Sequence, residues 1–111
     1  MNDLIQRITN AIMRQEGMGQ SYPNPGNLRA APWLQHPLIV NNFWVPATRQ
    51  QGIAGAAHLV ALHIAEGNSL TQLISIWAPA SDNNNTQKYI QNVAEWSCIP
   101  DVNVPLYTLI A

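Results

Sequence analysis

Glu16 is the carboxylate in this chain that is hardest to explain as a surface residue. Leu4, Ile5, Ile8, Ala11 and Ile12 recur at helical spacing, and the step from Ile8 to Ile12 lands next on Glu16. An acid is thereby aimed along an apolar stripe, at a helix C-terminus where the dipole also disfavours negative charge. Desolvation and dipole both raise its pKa, as a general acid working near neutrality requires. The alternative placement ends the helix at the surface and turns Glu16 into solvent. Just downstream runs Ser21-Tyr22-Pro23-Asn24-Pro25-Gly26-Asn27-Leu28-Arg29. Tyr22, Asn24, Asn27 and Arg29 could present hydroxyl, amide and guanidinium groups beside the acid, a set suited to a ligand rich in hydroxyls. By itself the same stretch also reads as an ordinary Pro/Gly turn.

The remaining reactive residue types form no second constellation. His58 and His63 are five apart, so on a helix of ~3.6 residues per turn they diverge by about 140° and cannot share a metal. His36 has no Cys or carboxylate spaced to join it. Buried, hydrogen-bonded histidines are the simpler reading, and neither a metal nor another cofactor is expected. Cys98 is the single cysteine, which excludes an internal disulfide and a cysteine-built metal site. It reads as a small core or near-surface residue. Trp33 and Trp44 are candidate sugar platforms, whereas Trp77 and Trp96 read as packing residues.

Helices, a hairpin and one long loop must position these groups. The first helix runs from Asn2 or Asp3, either of which can cap it, to Glu16, where Gly17 and Gly19 stop it. Gly17 to Thr48 has no helical period and holds Pro23, Pro25, Pro32, Pro37 and Pro46 of the chain's eight prolines. Within it, Leu38-Ile39-Val40 and Phe43-Trp44-Val45 flank Asn41-Asn42, a short β-hairpin whose turn exploits the tolerance of Asn for positive φ. Arg49 to Glu66 reads as a helix, and from Ile53 to Ala65 only His58 and His63 interrupt its apolar and small residues, which predicts a buried central helix. Gly67 ends it and Asn68 or Ser69 caps the next helix, which carries Leu70, Leu73, Ile74 and Trp77 inward and closes before Pro79. Asn84 or Asn85 caps a last helix from Thr86 to about Trp96, with Tyr89, Ile90, Val93 and Ala94 inward. The tail, with Pro100 and Pro105, reads as a strapped-down extension.

Composition narrows the class. The 111 residues allow one domain, residues 1–111, and 47% apolar content is enough for one core. Only 10% of residues are charged, with a net charge of −1, so scattered cations give a phosphate backbone little to hold and nucleic acid is not an expected partner. No apolar run approaches the ~20 residues of a membrane span. No basic N-region followed by an apolar segment opens the chain, so a secretory signal is not expected. The fold class is mainly α.

Several short motifs, in order, carry a resemblance. Glu16-Gly17, Asn24-Pro25-Gly26-Asn27-Leu28-Arg29, Phe43, Gly52-Ile53-Ala54, Gly67-Asn68-Ser69-Leu70, Trp77-Ala78-Pro79, Asp82-Asn83-Asn84-Asn85-Thr86 and Tyr89-Ile90-Gln91-Asn92-Val93 span nearly the whole chain. Together they resemble the lysozyme-like peptidoglycan hydrolases of phages and prophages, relatives of soluble lytic transglycosylases and goose-type lysozymes. The resemblance implies a lysozyme-like domain that cleaves the MurNAc–GlcNAc β-1,4 bond of peptidoglycan glycan strands. Glu16 then becomes the catalytic acid, and Tyr89, Asn84 and Asn85 join the site. It also implies a phage-encoded or virion-associated protein acting on the cell wall, released through a holin or delivered in a virion. Two stretches depart from the transglycosylase pattern: Gly26-Asn27-Leu28-Arg29 stands where Gly-Leu-Met-Gln is usual, and Trp77-Ala78-Pro79-Ala80-Ser81 where Ala-Tyr-Asn-Ala-Gly is usual.

A glycosidase with two carboxylates needs a second one across the scissile bond. Asp82 is best placed by order, although a turn or capping Asp in an Asn-rich loop is the simpler reading. Glu66 at a helix end, Glu95 on a polar face and Asp101 in the tail read as solvated. The missing partner leans toward a single-acid transglycosylase route. The alternative function is a non-catalytic cell-wall-binding or virion structural module of the same fold.

Overall fold

In a computed structural model of the chain, which describes residues 3–19 and 22–110, α1 spans Asp3–Glu16 and buries Leu4, Ile8, Ala11 and Ile12. Asp3 is its first helical residue; Asn2, the other candidate cap, lies outside the described residues, as does Ser21 in the following loop. Gly17 ends α1 at φ +61, with its N–H on the Met13 carbonyl at 3.1 Å. Among the described residues, no helix is long and apolar enough to cross a membrane.

The hairpin forms with β1 at Ile39–Val40 and β2 at Phe43–Trp44, paired antiparallel with Ile39 opposite Trp44. Asn41 and Asn42 take φ of +52 and +68, the left-handed pair a tight two-residue turn demands. The loop preceding it is not a bare excursion. Leu28, Ala31 and Trp44 form a small buried cluster of their own, with Trp33, Leu59 and Trp77 against it. Trp44 is 3% exposed. Its reading as a groove platform is therefore corrected: it faces inward, because the hairpin folds back onto α2.

Helix α2, Arg49–Ala65, starts at Thr48, whose hydroxyl accepts the Gln51 N–H. It is not buried all round. Gly52, Gly55, Ala56, Ala57, Val60, His63 and Ile64 face inward, while Ala54, His58, Leu62 and Ala65 are exposed. The apolar composition of α2 reflects close approach on one side instead of burial on all sides. A Cβ at Gly52 would stand 1.8 Å from the Pro23 carbonyl oxygen, and one at Gly55 would stand 2.6 Å from the Trp44 ring. Small residues let loop and hairpin lie directly on the helix backbone, and too few other elements exist to cover the outer face.

Helix α3, Leu70–Trp77, begins with a capping box between Ser69 and Gln72. Helix α4, Thr86–Ser97, is capped by the Asn85 side chain and ends at Cys98, an exposed residue at φ +59. Ile8, Ile12, Val60, Leu70, Leu73, Ile74, Val93 and Leu106 pack as the main core, with α1 lying chiefly along α4 and then α2. The tail is docked, but as a short 3-10 turn at Leu106–Leu109 in place of an extension. Thr71 N–H reaches the Val102 carbonyl at 3.0 Å, Leu106 N–H reaches the Asn68 carbonyl at 2.9 Å, and Leu106 is fully buried.

Candidate active site

The C-terminus of α1, the 24–29 loop, the inner stripe of α2, the end of α3 and the turn before α4 surround a cleft of about 430 Å³. This is within the size range of small-ligand sites. Glu16 is part of its lining and is half-buried. The Tyr89 hydroxyl donates to Glu16 Oε2 at 2.7 Å, and the Asn27 side chain also hydrogen-bonds the carboxyl. Burial raises the Glu16 pKa above the usual carboxylate value, while the Tyr89 and Asn27 hydrogen bonds pull the other way. The solvent-facing placement of Glu16 is thus replaced by an inward one. Tyr89, itself buried, has its phenol pKa pushed far up by burial, by the Glu16 charge and by their shared hydrogen bond. It stays protonated, a fixed donor to the acid.

Asn27 reaches Glu16 because its own backbone is left-handed, at φ +55, a conformation Asn tolerates better than most residues. Its neighbour Asn24 holds that turn. Asn24 Nδ2 donates to the Leu28 and Trp44 carbonyls, and its Oδ1 accepts the Leu28 N–H, all at 2.9 Å. At 1% exposure Asn24 has nothing left for a ligand. Its reading as a substrate-binding residue is corrected to a structural clasp between the loop and β2. Trp77 Nε1 donates to the Gly26 carbonyl at 2.9 Å and fixes the same turn from the α3 side.

Arg29 lines the cleft with its guanidinium over Phe43, 4.8 Å from the ring centroid, and 3.4 Å from Asp82 Oδ2. Asp82 does enter the cleft, from a 3-10 turn at Ala80–Asp82, but as Arg29's ion-pair partner. Asn84 lines the cleft and donates to the Pro79 carbonyl at 3.1 Å. Two expected site residues are displaced. Asn85 is exposed and spends its side-chain oxygen on the Lys88 N–H as the cap of α4. Tyr22 lies outside the cleft lining; its carbonyl accepts from Arg49, which also binds the Gly19 carbonyl and ties the loop to α2.

Trp33 lines the cleft, held edge-on against buried Trp44 at 5.9 Å and beside the His58 ring at 4.9 Å. His58 is exposed, which corrects its reading as buried. Trp77, read as packing, both packs and lines the cleft, while Trp96 sits apart under Arg14. Among the described residues no three His, Cys, Asp or Glu side chains gather as metal ligands.

His63 was missed as a cleft residue. It is 6% exposed and bonded to Asn68, but it also lines the cavity. A signal was present in the spacing. Gly52, Ala56, Leu59 and His63 share one helical stripe, and the small residues at its start show that another segment must press on it. No family model, curated protein or solved structure matches the chain.

Proposed function

We propose that the protein is a peptidoglycan-cleaving glycosidase, a lytic transglycosylase or muramidase, with Glu16 as its general acid. The observation that carries this reading is the pairing of Glu16 with Tyr89 and Asn27 in the wall of a cleft that also presents Trp33, Phe43 and Trp77. Aromatic faces suit sugar rings, and a carboxyl with a raised pKa suits protonation of a leaving oxygen. Protonated Glu16 gives its proton to the glycosidic oxygen as the bond to C1 breaks. The carboxylate left behind is held by the Tyr89 hydroxyl and the Asn27 amide. It then takes the proton of the muramoyl 6-hydroxyl while that oxygen closes on C1, leaving a 1,6-anhydro ring and a reprotonated acid. Asp82 is engaged by Arg29, which favours this single-acid route over a two-carboxylate one.

The test is turbidity clearance of purified sacculi by wild type and Glu16→Gln, with mass spectrometry of the released ends. Glu16→Gln should lose at least 100-fold in rate, the usual worth of a general acid, while keeping its fold. A folded variant that clears sacculi at the wild-type rate removes Glu16 from the chemistry. The Arg29–Asp82 pair also favours a second reading, a wall-binding module without catalysis, which predicts that wild-type protein sediments with sacculi and leaves them uncut.

A further inference from the structure

His63 is among the polar groups of the cleft that the acid chemistry does not use. His63 Nδ1 lies 2.8 Å from Asn68 Nδ2. With the amide nitrogen facing the ring, Nδ1 is the acceptor, and a neutral ring in that arrangement carries its proton on Nε2. The Asn68 backbone is held beside the ring: its N–H is on the His63 carbonyl at 3.1 Å and its carbonyl takes the Leu106 N–H at 2.9 Å. Burial lowers the His63 pKa, opposed by the nearby Glu66 charge, which keeps the ring in its neutral form.

Nε2 has no partner among the described residues. Yet no side-chain nitrogen or oxygen sealed from solvent lacks one among them. Nε2 is therefore not sealed from solvent, and His63 is part of the cavity wall. The cavity wall combines Leu28, Leu59, Ile76 and Trp77, which offer no side-chain acceptor, with Glu16, Asn27, Asp82 and Asn84, which do. The ring is also unfit as a base: one nitrogen already bears hydrogen and the other's lone pair is taken by Asn68.

We propose that His63 is a positioning residue whose Nε2–H donates to an oxygen acceptor of the bound glycan, a ring hydroxyl or an acetamido carbonyl. This rests on the reading of the cleft as a glycan site. A donor held in one tautomer in the cleft wall discriminates in favour of sugars that bring an acceptor to it, because an unmet donor loses its water without replacement.

The experiment uses full-length protein labelled with 15N-histidine. Two-bond nitrogen–proton spectra should show His63 as the neutral Nε2–H tautomer. Chitotetraose and cellotetraose, which share their C3 and C6 hydroxyls and differ at C2, acetamido in the first and hydroxyl in the second, are then titrated in, with tryptophan fluorescence reporting binding. A shift of His63 Nε2–H with both sugars identifies a hydroxyl acceptor, and a shift with chitotetraose alone identifies the acetamido carbonyl. Binding that leaves Nε2–H unmoved, or an Nδ1–H tautomer, overturns the proposal. In kinetics on sacculi, His63→Phe should raise KM about tenfold, the worth of one neutral hydrogen bond, with kcat and its pH profile unchanged. His63→Gln, whose amide nitrogen reaches the Nε2 position, should recover most of that loss. An unchanged KM in His63→Phe, or a fall in kcat alone, refutes a positioning role. If wild type neither binds chitotetraose nor cuts sacculi, the glycan reading fails and this proposal with it; binding and cleavage indifferent to His63 defeat only the latter.

Discussion

Tyr89→Phe removes one hydroxyl and leaves a buried ring in place, so its consequences can be traced to a single hydrogen bond. That bond, 2.7 Å long, ends on Glu16, which is half-buried and has Asn27 as its other side-chain donor. A hydrogen bond to a charged partner is worth about 1.5–3 kcal/mol and a neutral one about 0.5–1.5. Half-exposure of Glu16 lets water replace part of what is lost, which puts both at the low end. Tyr89→Phe should then destabilise by about 1.5 kcal/mol when Glu16 is ionised and by about 0.5 when it is protonated. The direction follows from linkage. The bond lowers the folded pKa of Glu16, so its removal raises that pKa further above the unfolded value. The native variant binds its proton more tightly, and its stability relative to wild type falls as pH rises through the folded pKa. Urea denaturation at pH 4 and pH 8 measures the two losses. Under the proposed glycosidase function, the same change should carry the alkaline limb of sacculus clearance to higher pH, because Glu16 keeps its proton longer. Equal destabilisation at both pH values, or a limb that moves down, would show that Tyr89 does not act on Glu16.

Glu16→Gln tests the burial of the acid. The raised folded pKa means Glu16's favourable contribution is fully present below its unfolded pKa and is lost as pH rises through the folded one. The variant should therefore gain more stability relative to wild type at pH 8 than at pH 4, and a gain that does not change with pH would place Glu16 in water. Asn24→Ala breaks three hydrogen bonds at a fully buried position and should cost about 3 kcal/mol by thermal or urea denaturation; a loss below 1 kcal/mol would mean the loop does not depend on its clasp. Gly52→Ala drives a methyl into the Pro23 carbonyl and should cost about 3 kcal/mol, with loss of cleft binding as the loop lifts off α2. A variant as stable as wild type would mean that the loop is not seated on that helix.

Every α-helix among the described residues was readable in the sequence within a residue or two, and so was the hairpin with its Asn41-Asn42 turn. Those features depend on neighbours three or four residues away: apolar spacing along α1, Ser69 with Gln72, Gly67 after α2 and two asparagines that accept positive φ. The stripe of α1 brings Glu16 to its apolar face but leaves a turn into solvent equally open, and the packing around the cleft decides between the two. The fate of each polar residue in the loops was not readable in the sequence. Asn24 and Asn27 are three residues apart and chemically identical, yet one is consumed by backbone groups of Leu28 and Trp44 and the other reaches Glu16. Asn84 and Asn85 are adjacent, yet one lines the cleft and the other caps α4. Tyr89 meets Glu16 across 73 residues of sequence, and His63 enters the cleft because Gly52 and Ala56 on its stripe admit the loop. An amide or hydroxyl has no intrinsic preference among donors and acceptors of equal strength. Only the crossing of α1, α2 and α4, which determines what lies within 3 Å of it once water is gone, decides whether it serves the backbone or the site.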